Sequence, residues 1–216
     1  MKKAVIESIE KNKIIAILRG VPADKLIKTA ESLYDGGIRL LEITYNFKNV
    51  SDTETADGIK RLCEHFKNDM FIGAGTVLTE NQVVLTHEAG GKFIISPNVD
   101  KDVIEKTNEL GLVSLPGGLT PSEICEAHKY GADFVKLFPI TNLGVNYIKA
   151  VKAPLSNIKL LAVGGINENN IPEYLNAGVC GFGVGSNIVN LKMIENNDFN
   201  SITELAKKYV AVINNG

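Results

Sequence analysis

The sequence predicts an α/β chain folded as one domain, a parallel (β/α)8 barrel of the TIM-barrel type spanning residues 1–216. Three observations carry this. Eight short apolar runs of strand length recur along the chain, helix-period segments lie between them, and no low-complexity run or Pro/Ser-rich linker divides the sequence. Each parallel crossover needs a helix, and eight strands can close a sheet on itself. The runner-up is an open doubly wound sheet, which lacks support because no Gly-x-Gly-x-x-Gly turn follows the first strand.

The first strand, 14–18, is wholly apolar, and Leu26, Ala30 and Leu33 after it keep helical spacing. In the second, 40–44, a period of two sends Leu41 and Ile43 to one face and Glu42 and Thr44 to the other. Strands at 71–74, 93–96 and 112–115 are followed by Gly75-Thr76, Pro97 and Pro116. The sixth, 134–138, carries Lys136 between Phe134 and Phe138. The seventh, 159–163, runs into Gly164-Gly165 and the eighth, 181–184, into Gly185-Ser186. Ile202, Leu205, Ala206, Tyr209, Val210 and Ile213 mark the last helix. Lys13, Lys92 and Lys159 begin strands at the solvated end, so the polar and conformationally special residues collect at the carboxyl rim, where such barrels build their sites.

Composition narrows the function classes. With 44% hydrophobic and 22% charged residues and a formal net charge of -2, the chain has no basic field for nucleic acid. Cys63, Cys125 and Cys180 form no Cys-x-x-Cys pair, which suits buried thiols in a reducing compartment, so a cytoplasmic location is expected. Charge interrupts the start too early for a signal peptide, and glycines and asparagines spoil the uncharged stretch 174–191 as a membrane span. His65, His87 and His128 fall in helical segments away from the rim, so neither a metal nor a cofactor is expected, and a zinc-dependent mechanism is disfavoured.

Lys136 is the only one of twenty lysines placed mid-strand among apolar side chains. Lost hydration disfavours the ammonium and frees the lone pair for attack on a carbonyl, the chemistry of a Schiff-base enzyme. Glu42 is its carboxylate counterpart if both point inward; a buried structural ion pair would show the same pattern. Gly164, Gly165, Gly185 and Ser186 occupy the two loops where such barrels bind phosphate, although glycines also serve as plain turns and corners. Arg19, one of three arginines, follows the first strand, where it can clamp an anion or close a salt bridge. Thr76 offers a hydroxyl and a backbone N–H to a carboxylate. Two other readings use the same barrel: a phosphate-binding isomerase with Glu42 as base, and a noncatalytic effector-binding barrel that needs only the glycine loops.

Six motifs stand in order: Ile15-Ala16-Ile17-Leu18-Arg19-Gly20, Leu41-Glu42-Ile43-Thr44, Ile72-Gly73-Ala74-Gly75-Thr76-Val77, Ile95-Ser96-Pro97-Asn98, Val135-Lys136-Leu137-Phe138-Pro139 and Val163-Gly164-Gly165-Ile166. Together they resemble the 2-keto-3-deoxy-6-phosphogluconate aldolase family, which includes 4-hydroxy-2-oxoglutarate aldolases and a phosphogalactonate branch. The resemblance implies that Lys136 forms the Schiff base and Glu42 is the general acid/base. It implies that Arg19, Thr76, Pro97, Phe138 and Val163 bind substrate, and that Gly164, Gly165, Gly185 and Ser186 hold its phosphate. It further implies a phosphorylated keto acid and pyruvate as small-molecule partners, a homotrimer, and no metal. The chain departs from the phosphogluconate branch at Asn46, where many members carry arginine, and at Val163, where they carry threonine. At both sites, and in Tyr147-Ile148-Lys149-Ala150, it resembles the phosphogalactonate branch. Losing a hydroxyl partner for the substrate's C4 relaxes or reverses preference there rather than abolishing cleavage.

Overall fold

A strand covered on both faces is an unbroken apolar run rather than an alternating one. The computed structural model, which describes residues 1–45 and 50–215, gathers all the predicted runs into one parallel sheet. The first part of the chain is α1 (Lys2–Asn12), β1 (Ile14–Leu18), α2 (Leu26–Asp35), β2 (Leu40–Thr44), α3 (Asp52–Phe66), β3 (Phe71–Gly75), α4 (Glu80–Glu88), β4 (Phe93–Ile95) and α5 (Lys101–Glu109). Then come β5 (Val113–Leu115), β6 (Gly117–Gly118), α6 (Pro121–Lys129), β7 (Val135–Leu137), α7 (Gly144–Lys152), β8 (Leu160–Val163), α8 (Ile171–Asn176), β9 (Gly181–Val184), α9 (Leu191–Glu195) and α10 (Phe199–Asn215).

The sheet order is β5-β4-β3-β2-β1-β9-β8-β7-β6. Its two ends, β5 and β6, are consecutive pieces of chain separated by Pro116, so nine strands make the eight staves of a nearly closed barrel. Eight strands were expected; the fifth is broken because proline has no N–H to give a ladder. Hydrogen bonds carry the seam past the break: Phe134 N–H donates to the Ser114 carbonyl (3.2 Å) and Lys136 N–H to that of Pro116 (2.8 Å). β1 pairs with β2 on one side and β9 on the other, so the open-sheet alternative is overturned.

Alternation along each strand sorts two apolar layers. Ile14, Ala16, Leu18, Leu41, Ile43, Val135 and Leu137 belong to the large cluster shared with the surrounding helices. Ile15, Leu40, Phe93, Ile95, Val113, Phe134 and Leu161 fill the barrel's interior together with Val5 and Ile9 of α1. No element was anticipated before residue 14. α1 fits there because Val5 and Ile9, four apart, project from one face and plug the amino-terminal end. Each such buried side chain contributes about 1.5–3 kcal/mol.

The opposite end stays open, and its helix starts are capped rather than plugged. Ser51 and Glu54 form a capping box on α3, Thr120 and Glu123 another on α6, and the side chains of Thr79 and Asp100 cap α4 and α5. The cysteines are free and not uniformly buried: burial pushes Cys63 and Cys180 up to about 11, but Cys125 is exposed on the outer face of α6. No described helix is long and apolar enough to cross a membrane.

Candidate active site

Between β2 and β7 the barrel has three staves on either route, so residues pointing inward from these strands face each other across its bore. Glu42 and Lys136 both do. They are 2% and 7% exposed, against neighbours Leu41, Ile43, Val135 and Leu137 that turn outward. No ion pair or hydrogen bond closes between them, and Glu42 Oε2 has no hydrogen-bond partner among the described residues. A buried pair kept for stability would be in contact, because only close attraction offsets the desolvation of both charges. This pair is instead held open.

Electrostatics follow from the geometry. Burial pushes the Lys136 amine below the ordinary lysine value; Glu42 opposes this and Arg19 reinforces it. Burial pushes the Glu42 carboxyl above the usual carboxylate range, with the Lys136 and Arg19 cations pulling it back. Each group is thereby moved toward its neutral form, the form an amine needs for attack and an acid needs for donation. The Phe138 ring lies 4.4 Å from Nζ, a modest attraction for the ammonium that limits the shift.

Gly75 makes room for the carboxylate, since a Cβ there would overlap Glu42 Oε1. Thr76 follows in the left-handed region, φ 57°, a strained conformation for a non-glycine residue. Its hydroxyl accepts from Arg19 Nη2 at 3.2 Å. Arg19 makes no salt bridge among the described residues, so the structural ion pair considered from sequence is not formed there.

Gly164 and Gly165 have φ of 106° and 68°, values that disfavour any side chain, and Thr141 crowds both: a Cβ on Gly164 would stand 2.9 Å from its Oγ1. Lys136, Glu42, Arg19 and Thr76 share one cavity of about 500 Å³ with Pro97, Phe138 and Val163. Gly164, Gly165, Gly185 and Ser186 line the same cavity. Asn46 lies outside the described residues. Sequence reasoning missed Ile17, Ile166, Asn187, Val189 and Leu191, which also line the cavity. Ile17 was findable, being two residues before Arg19 on the inward phase of β1, and Asn187 directly follows the Gly-Ser pair.

A second cavity of about 510 Å³ lies in the outer layer between the ends of β1 and β2 and the helices α2 and α3. Leu18, Leu26 and Ile43 form its base, and Glu54, Asp57 and Arg61 lie at its solvent side. It holds no counterpart of the buried amine and carboxyl. Among the described residues no cluster of His, Cys, Asp and Glu has the makings of a metal site.

The model of the KDPG and KHG aldolase family matches residues 5–205. The chain is 34% identical over 176 residues to the 2-dehydro-3-deoxy-6-phosphogalactonate aldolase of Escherichia coli K12, covering 81% of this chain and 83% of that protein. It is 32% identical over 213 residues to the 2-dehydro-3-deoxy-phosphogluconate aldolase of Haemophilus influenzae, covering 97% and 96%. Among solved structures, KDPG aldolase from Legionella pneumophila, with pyruvate captured as a covalent carbinolamine, superposes with a TM-score of 0.84 at 30% identity, covering 96% and 97% of the two chains. A native KDPGal structure gives 0.84 at 31% identity, covering 94% of each.

Proposed function

The chain belongs to the KDPG and KHG aldolase family and is a class I, Schiff-base aldolase, a lyase; on that premise we propose which residues perform the cleavage and on what substrate. The substrate is a 2-keto-3-deoxy-6-phospho sugar acid, cleaved to pyruvate and glyceraldehyde 3-phosphate; 4-hydroxy-2-oxoglutarate, cleaved to pyruvate and glyoxylate, is a second substrate of the same chemistry. One observation carries the assignment: an amine and a carboxyl, both buried, face each other across the barrel without closing a salt bridge.

Neutral Lys136 attacks the C2 ketone to give a carbinolamine. Glu42 moves protons as water leaves and the iminium forms. The iminium then accepts the C3–C4 bonding pair, while Glu42, directly or through a water, takes the C4 hydroxyl proton and the aldehyde departs. Protonation of the enamine at C3 and hydrolysis release pyruvate and regenerate the amine. Arg19 and Thr76 hold the carboxylate end, with Pro97 and Phe138 as walls. The backbone at Gly164, Gly165 and Gly185, with Ser186, holds the phosphate, whose remote binding energy positions the reacting carbons. The enzyme works as a homotrimer in the cytoplasm.

Val163 supports a phosphogalactonate or dual preference, because its methyls line the cavity where a hydroxyl would otherwise partner the C4 substituent. Side-by-side kcat/KM values on the two C4 epimers test this; a strong gluconate preference would remove it. The mechanism is tested by borohydride reduction in the presence of pyruvate. The expected product carries one reduced pyruvyl adduct on Lys136. Unlabelled protein that still turned over phosphorylated substrate would favour the isomerase reading, and unlabelled inert protein the binding module.

A further inference from the structure

The two glycine loops carry an asparagine scaffold that the reaction does not use. The Gly165 carbonyl accepts from Asn170 Nδ2 at 2.9 Å and from Asn167 Nδ2 at 3.3 Å, and the Ile166 carbonyl accepts from Asn187 Nδ2 at 2.7 Å. Asn170 Oδ1 in turn accepts the Asn167 N–H at 3.0 Å, and Asn167 Oδ1 accepts the N–H groups of Asn169 and Asn170 at 3.0 and 3.2 Å. The Gly165 and Ile166 carbonyls of the β8 loop are therefore occupied by side-chain amides. The N–H groups of Gly165, Ile166 and Ser186, on residues that line the cavity, have no acceptor among the described residues. A peptide's N–H and C=O point in opposite directions, so holding the carbonyl on one side presents the next N–H on the other. An anion is favoured where several such N–H groups converge, and it is weakened if the peptides can flip and turn carbonyl oxygens inward.

We infer that Asn170 and Asn187 are positioning residues for the phosphate: Asn170 holds the Gly165 carbonyl away from the cavity, which turns the Ile166 N–H of the same peptide toward the anion, and Asn187, through the Ile166 carbonyl, fixes that loop against the β9 loop. The inference rests on the phosphate reading of these loops. Asn187 also ties the β8 loop to the β9 loop, so one side chain sets the spacing of the two halves of the cradle.

Two variants remove a donor in different ways. Asn187→Leu deletes the amide without adding charge. Asn170→Ala removes the nitrogen that donates to Gly165 together with the oxygen that accepts the Asn167 N–H, again without adding charge. Three quantities are read for each: KM for the phosphorylated keto acid, the inhibition constant of inorganic phosphate, and the pyruvate concentration that half-saturates borohydride trapping at Lys136. Loss of a hydrogen bond of ordinary net strength raises the first two by about tenfold, and the third moves less than twofold because pyruvate has no phosphate. An unchanged phosphate constant, or all three rising together as in a general loosening of the barrel, overturns the positioning role. If one variant does not fold, the other decides. Wild-type enzyme that inorganic phosphate fails to inhibit would defeat the phosphate reading itself, and the positioning role with it.

Discussion

Two lysine–glutamate couples stand at opposite ends of the barrel, and their difference teaches what makes one of them chemical. At the amino-terminal end Lys159 Nζ lies 2.7 Å from Glu10 Oε1, with the two side chains 45% and 42% exposed. Water screens that pair, and such a contact contributes about 0–1 kcal/mol. Toward the carboxyl end Lys136 and Glu42 are buried and apart. The residue types are the same. Exposure permits a closed, hydrated pair, whereas burial without contact leaves Lys136 and Glu42 each pushed toward neutrality and available to a third party.

The sharpest way to break the contrast is to delete each amine. Lys136→Ala should lower kcat/KM on the order of 10⁴-fold or more with an unchanged circular dichroism spectrum, while Lys159→Ala should stay within twofold. Comparable losses in the two variants would mean that burial is not what distinguishes them. Next in size is Glu42→Gln, which keeps the shape and removes the proton relay. Turnover should drop by about 10²–10⁴-fold, with less effect on the final yield of trapped pyruvate. An undiminished rate removes Glu42 from the role.

Gly75→Ala probes the gap itself, because the added methyl occupies the place of the Glu42 carboxylate. A displacement on the order of 1 Å costs about 10²-fold, and the loss should appear in kcat; a silent substitution would show that the placement of the carboxyl is uncritical.

The smallest effect is on stability against pH. Lys136 binds its proton less tightly folded than unfolded. Below the depressed folded value both states are protonated and the buried ammonium is at its most costly. As pH rises from there to the ordinary value of about 10.4, the native state releases its proton first and the fold gains stability. Glu42 acts with the opposite sign: its folded value is raised, so stability falls as pH climbs from the ordinary value of about 4.3 to that raised value. Lys136→Met should flatten the alkaline rise in denaturant titrations, and Lys159→Ala should leave it intact. A wild-type curve without that rise would contradict the depressed amine.

The inward direction of Glu42 and Lys136 was legible because a strand's period of two needs only the flanking residues: Leu41 and Ile43 around one, Val135 and Leu137 around the other. The rim positions of Arg19, Thr76, Gly164 and Gly185 were legible from where apolar runs stop. α1 was not, since its two buried residues, Val5 and Ile9, are too few to announce a helix among five charged side chains in residues 2–12. The Pro116 break was visible as a residue but not as a split stave, because its effect is on pairing with strands distant in the chain. The asparagine scaffold was hidden for the same reason: Asn187 bonds a carbonyl 21 residues away.

By itself the sequence determined the alternation along the strands, the turn residues that follow them, and the burial of one lysine, because these depend on neighbours within a few positions. Only the tertiary structure decided that this lysine and its glutamate stand on opposite staves with a gap between them. That separation comes from how many staves close the barrel and how they are ordered, and no local run of residues encodes the distance across a ring.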